Sequence, residues 1–330
     1  MKLIKHLAIA TLLAAPSCLL ADGHGTDYQA LVDDAHAKFK DVQEGKNADY
    51  IPILAEVDSE LFGVVITLAD GTTYMAGDTD HSFSIQSVSK PFTMALVMNE
   101  QGPQAIVDKI GVEPTGMPFN SIVAIEVNEQ RSRNPLVNAG AIASVSMLQA
   151  DSPEDRFQQI IDGFSAFAGE PLSVINEVYV SEAETNYRNR AIADQLLSYD
   201  RLYADPSETV DVYTRQCSIG VNGRQLAMMG ATLANDGVNP KTGQRVLNEN
   251  YVDEVLAVML MAGFYDEVGI WAFKAGLPAK TGVGGGIVAV VPDRMSIVAF
   301  SPRLNEAGNS VRALMAIEHI SNELGLSLFR

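Results

Sequence analysis

Both ends of the chain read as sheet and its middle reads as helix, an order that few folds can satisfy. Phe62 to Leu68 and Thr72 to Ala76 are β-prone runs separated by Asp70-Gly71, a pair that readily takes the positive φ angles of a tight hairpin. Far downstream, Gly286 to Val291 and Met295 to Phe300 flank a second turn at Pro292-Asp293. Between them, from Lys90 to about Gln225, the windows are helical and broken by Gly and Pro, as in Pro91 to Gln101 and Pro153 to Phe167. Helical periodicity also spans residues 28 to 45 and Asn309 to Leu324, the second with Asn309 or Ser310 as its cap. The economical solution is α/β in the α+β sense: an antiparallel sheet flanked by the terminal helices, with an all-helical lobe inserted. The sheet lobe takes residues 22–86 and about 226–330, the helical lobe about 87–225, and a cleft is expected at the junction.

The first 21 residues stand outside this scheme. Lys2, Lys5 and His6 precede the apolar run Leu7 to Ala15 and then small residues, the layout of a secretory signal peptide. Cleavage after Ser17 and cleavage after Ala21 both fit. An exported, periplasmic protein is expected, with no membrane span, because no later stretch approaches the roughly 20 apolar residues a spanning helix needs. Lys2 and Lys5 are the only Lys, Arg, Asp or Glu residues in the leader, so the remainder is two units more negative than the whole chain's −18. Such a charge disfavours nucleic acid and anionic membranes as partners. With Cys18 in or beside the leader, Cys217 is left alone, which excludes a disulfide-stapled scaffold.

Chemistry concentrates where the first strands pass into a helix. In Phe83-Ser84-Ile85-Gln86-Ser87-Val88-Ser89-Lys90-Pro91-Phe92, Pro91 is tolerable only in a first helical turn, which puts Ser87 at the helix start. Lys90 then falls on the same face, within reach of the Ser87 hydroxyl, as serine nucleophilic catalysis requires. Holding that lysine neutral at pH 7 costs about 4 to 5 kcal/mol from its reference pKa, so burial or a neighbouring cation must lower it. Alone, Ser-x-x-Lys is weak, since 22 serines and 10 lysines yield about one by chance. A second basic element strengthens it: Lys280-Thr281-Gly282 resembles the Lys-Thr-Gly element of penicillin-recognising serine enzymes. Lys241-Thr242-Gly243 has the same letters but follows Asn239-Pro240 in a loop, and context marks it as the decoy. The Gly-rich run Gly282 to Gly286 precedes a strand, where a dinucleotide fingerprint follows one. Five scattered histidines have no paired zinc-ligand spacing.

Six blocks together carry a family resemblance over nearly the whole chain past the leader. They are Ala48-Asp49-Tyr50-Ile51-Pro52; Gln86-Ser87-Val88-Ser89-Lys90; Asn134-Pro135-Leu136-Val137-Asn138-Ala139-Gly140-Ala141-Ile142; Arg188-Asn189-Arg190-Ala191; Tyr213-Thr214-Arg215-Gln216-Cys217-Ser218; and Leu277-Pro278-Ala279-Lys280-Thr281-Gly282-Val283-Gly284-Gly285-Gly286. In that order they resemble the serine-dependent glutaminase family. The resemblance implies a β-lactamase-like, penicillin-recognising type of fold and an acyl-enzyme on Ser87 with Lys90 as its partner. It implies a pocket for L-glutamine using Tyr50, Gln86, Asn138, Glu182, Asn189, Tyr213, Tyr265 and Val283, no cofactor or metal, and a homo-oligomer, dimer or tetramer. Two departures stand out: Asn186-Tyr187 precedes Arg188-Asn189 where members usually show Gly-Asp, and Thr281 replaces a more usual Ser. The ankyrin-type extension of some animal members is not expected.

Each of these residues also has an ordinary structural reading. Asn138 could cap a helix, Glu182 could be one of many solvated acids, and Tyr213 and Tyr265 could be core aromatics. In the functional reading Glu182 pairs with the substrate ammonium, and either Lys90 or Tyr213 takes the serine proton. The backbone amides of Ser87 and Val283 are the expected oxyanion donors, since glycines let main chain approach a tetrahedral centre. Cys217, with no histidine nearby in sequence, reads as a buried structural thiol. The rival functions are a penicillin-recognising hydrolase and a non-catalytic periplasmic amino-acid receptor.

Overall fold

The computed structural model describes residues 25–330. The expected leader, with Cys18, lies outside the described residues. The described residues form eight strands: β1 (Gly63–Leu68), β2 (Thr73–Gly77), β3 (Phe83–Ser84), β4 (Ser173–Val174), β5 (Ile219–Val221), β6 (Ala279–Thr281), β7 (Gly286–Val291) and β8 (Met295–Phe300). The main sheet is antiparallel, in the order β2-β1-β8-β7-β6, and a smaller sheet runs β3-β5-β4. The two ends of the chain meet where β1 pairs with β8, placing Val64 opposite Ala299 and Ile66 opposite Ile297. Both expected hairpins form. Asp70 Oδ1 accepts from Thr72 N at 2.8 Å beside Gly71 at φ 90°, and Asp293 takes φ 61° in the other turn, a conformation Asp tolerates.

The central strands read as continuous apolar runs because both of their faces are buried. Val64, Ile66, Ile287, Ala289, Ile297 and Ala299 face one cluster, covered by the terminal helices Tyr28–Phe39 and Val311–Glu323. Val65, Val288, Val290, Val298 and Phe300 face the other, larger cluster, which continues into the helices between Lys90 and Cys217. The helix Gly223–Ala234 lies directly on this second face. Its Gly230 passes so close to the sheet that a Cβ there would sit 2.6 Å from Ser296 Cβ.

Two local expectations shift. The first helix stops at Phe39, short of residue 45, since Lys46 turns back to pair with Leu304. The last helix begins at Val311, and neither Asn309 nor Ser310 caps it through its side chain. Ser310 Oγ instead donates to Ser301 O at 2.6 Å, and Asn309 Nδ2 donates to Glu267 Oε2. No single described helix is long and apolar enough to cross a membrane.

Candidate active site

The segment after β3 does not enter a helix directly. Ile85 N donates to Ile219 O, closing the small sheet, and Gln86 then turns to φ 47°. A 3₁₀ turn, Gln86–Ser89, carries Ser87, and the helix Lys90–Gln101 follows with Pro91 in its first turn. A side chain longer than glycine at positive φ stores about 1 to 3 kcal/mol, and Gln86 has partners that offset it. Its Nε2 donates to Glu182 Oε2 at 3.1 Å and to Ser84 Oγ at 3.3 Å, while its carbonyl accepts from Ser89 Oγ at 2.6 Å.

The turn between β6 and β7, residues 282–285, lies against this segment. A Cβ on Gly282 would meet Ile85 O at 3.1 Å, and one on Gly284 would meet Ser84 O at 2.3 Å, so only glycine permits so close an approach. Ser87 and Val283 both line the resulting cavity, and among the described residues neither backbone N–H has an acceptor. That leaves two unused donors beside one hydroxyl.

Lys90 is fully enclosed, and burial pulls its amine down to about 7. Nζ donates to Asn138 Oδ1 at 2.7 Å and to Leu136 O at 3.2 Å, with no carboxylate in contact. A neutral amine has two N–H groups and one lone pair, so these acceptors use the hydrogens and leave the lone pair free. The Ser87 hydroxyl lies beside the Tyr265 phenol and opposes the upward push that burial gives it, and among the described residues no hydrogen bond joins Ser87 to Lys90. Tyr213 is also buried, 3.5 Å from Asn138 Oδ1, and burial raises its phenol well above the usual range.

A cavity of about 100 Å³ opens in front of Ser87, lined among others by Tyr50, Gln86, Asn138, Glu182, Asn189, Tyr213 and Val283. The structure thus brings together eight of the ten candidate residues on one wall, with Lys90 and Tyr265 just behind it. Glu182 is not a solvated acid: it is 6% exposed, and burial pushes its carboxyl up to about 7 against the opposing hydrogen bond from Gln86. Asn138 Nδ2 donates to Asn189 Oδ1 at 2.9 Å, which leaves the Asn189 Nδ2 group without a partner among the described residues. Tyr50 is half-exposed as a residue, yet its hydroxyl end is buried near Glu182 and its pKa is raised.

Sequence reasoning missed Phe119, Asn120, Asn186 and Arg188, which also line the cavity. Phe119 and Asn120 lie in a stretch with no periodic signal. Asn186 enters the sequence pattern only as a departure from the family. Its Nδ2 donates to Thr214 Oγ1 at 3.0 Å, and since that hydroxyl donates onward to Val210 O, the Asn186 Oδ1 points elsewhere and is buried without a partner. Tyr187, the other departure, is 70% exposed and takes no part. Cys217 is a buried free thiol at the cavity floor, its pKa raised by burial, as expected of a structural cysteine. Lys241 pairs with Glu170 at 2.5 Å in its loop, so the second Lys-Thr-Gly plays no part in the cavity.

Known proteins with this sequence pattern agree with one another. Residues 45–329 match the glutaminase family. A glutaminase of Colwellia psychrerythraea is 51% identical over 91% of this chain and 97% of its own length, and one of Escherichia coli is 49% identical over 92% and 97%. Among solved structures, a probable glutaminase superposes with a TM-score of 0.90 at 49% identity, covering 92% of this chain and 98% of that one. A structure described as Mglu in its glutamate form gives 0.85 at 38% identity, covering 92% and 69%. With half its residues shared along nearly its whole length, and the β-lactamase-like fold shared with them, this chain belongs to the glutaminase family.

Proposed function

We propose that the protein hydrolyses L-glutamine to L-glutamate and ammonia through a glutamyl ester on Ser87, with Lys90 as the base. The observation that carries this reading is the buried, carboxylate-free Lys90 one helical turn from Ser87. At pH 7 an amine with a pKa of about 7 is half unprotonated. The Tyr213 phenolate, raised well above 10, is populated below about one part in a thousand. The alternative base is therefore weaker by orders of magnitude.

In the first half, Ser87 Oγ bonds to the side-chain carbonyl carbon and its proton passes to Lys90, directly or through the Tyr265 hydroxyl. The oxyanion takes the free N–H groups of Ser87 and Val283. Collapse breaks the C–N bond, Lys90 returns the proton to nitrogen, and ammonia leaves. Water then attacks the ester, Lys90 accepts its proton, and Ser87 recovers it as glutamate departs. Glu182 holds the α-ammonium, held in place by Gln86, while Asn189 Nδ2 and the Tyr50 hydroxyl supply donors for the α-carboxylate. Asn138 ties Lys90 to Asn189 and so links base to binding site. The solved relative in a glutamate form supports an amino-acid pocket of this kind. The leader-like first 21 residues support export to a periplasm, and the family supports a homo-oligomer.

Ammonia release from purified protein tests the assignment. Ser87→Ala is expected to abolish turnover with the fold intact, and glutamine is expected to be turned over where nitrocefin is not. An active Ser87→Ala protein sinks the serine mechanism.

A further inference from the structure

One polar atom on the cavity wall is left over by the steps above. Asn186 joins two helices, Asn176–Thr185 and Tyr187–Ser198, as the flanking residue of each. An asparagine at a helix start ordinarily turns its Oδ1 back to accept an N–H of the first turn. Asn186 makes no such cap, although its position invites one. Its Nδ2 is committed to Thr214 Oγ1 at 3.0 Å, and that bond fixes the orientation of the amide, because the Thr214 hydroxyl gives its own proton to Val210 O. Oδ1 is thus held out of the capping role, in a residue only 9% exposed that lines the cavity, with no hydrogen-bond partner among the described residues. Leaving a buried carbonyl oxygen unpaired is costly, and a ligand N–H would offset that cost.

The neighbourhood decides which N–H that is. Asn186 follows Glu182 by four residues, the spacing of neighbours on one helical face, and both line the same cavity. The reacting amide belongs instead at Ser87 and Val283, whose backbone donors take its oxygen. A primary ammonium presents three N–H groups in a tripod. The Glu182 carboxylate, which already accepts from Gln86, meets that tripod from one side and leaves an N–H to be taken elsewhere. A neutral amide oxygen suits the place, since it accepts without adding a second buried negative charge beside Glu182.

We propose that Asn186 is a specificity-determining residue of the cavity, its Oδ1 accepting one N–H of the substrate's α-ammonium beside Glu182. The inference rests on the glutamine reading, with Glu182 as the group that holds the ammonium.

The test compares the full chain and Asn186→Ala on L-glutamine and on glutaramate, which keeps the side-chain amide and the carboxylate but has no α-ammonium. Ammonia release gives kcat/KM for each; if glutaramate is not turned over, its inhibition constant against glutamine is used in its place. Asn186→Ala is expected to lose about tenfold or more on glutamine, chiefly through KM, and no more than about twofold on glutaramate. A loss on glutamine less than about fivefold greater than that on glutaramate overturns the proposal, because a merely structural role weakens both alike. If Asn186→Ala does not fold, Asn186→Gly takes its place under the same criterion. Glu182→Gln, run alongside, separates the failures. Equal losses on the two compounds in that variant would defeat the placement of the ammonium itself, whereas an ammonium-dependent loss at Glu182 with none at Asn186 defeats the present proposal alone.

Discussion

At Lys90 and Glu182 the same cause acts with opposite sign on two groups. Burial lowers the amine to about 7 and raises the carboxyl to about 7, so both change charge in one pH window. Attack needs the free amine and capture needs the carboxylate, and each of these forms grows as pH rises. Below about pH 7, log kcat/KM is therefore expected to climb with a slope approaching two, and to flatten above it. Glu182→Gln removes one titration and one charge: the slope falls toward one, and capture weakens by about 2 kcal/mol or more. A pH series of ammonia-release rates on both proteins checks this. A slope of two persisting in Glu182→Gln, or activity that declines as pH rises through 7, excludes these residues as the titrating pair.

Among the elements, the 3₁₀ turn Gln86–Ser89 and the glycine-rich β6–β7 turn beside it carry the geometry. Gly284→Ala would press a Cβ to 2.3 Å from Ser84 O, with no flexible side chain to yield, so the turn must move. The expected result is a stability loss of about 1 to 3 kcal/mol by denaturant titration, together with a kcat loss of about tenfold or more. A stable variant with unchanged kcat would mean that the approach of Val283 to Ser87 is not needed. Much of this was legible beforehand. β-prone runs with Asp-Gly and Pro-Asp turns located β1, β2, β7 and β8, and six ordered blocks located the pocket. The rest depended on information no local pattern holds. β3, β4 and β5 are two or three residues long and exist only by pairing with one another. Phe119 and Asn120 reach the cavity because Asn138 N donates to Phe119 O at 2.8 Å, a contact between a loop and a helix start. The Ser87 to Tyr265 contact depends on a positive φ that a tyrosine does not advertise.

Over the whole molecule, the two faces of the main sheet divide the labour. Every catalytic and binding candidate lies on the helical side or at the ends of β3 and β6, while the face toward Tyr28–Phe39 and Val311–Glu323 contains only packing. Ile297 sits at the centre of that rear face, fully buried, opposite Ile66 on one side and Ala289 on the other. Ile297→Ala removes buried methylenes and opens a cavity, at a cost of about 2 to 5 kcal/mol. Its neighbour Val298 points to the other face, so the register of β8 and the position of β6 survive the truncation. Denaturant unfolding should thus show a large fall in stability, while kcat and KM of the folded protein stay within about twofold. Should catalysis fall in step with stability, the sheet would be transmitting rear-face packing to Ser87, and the division between scaffold and site would not hold.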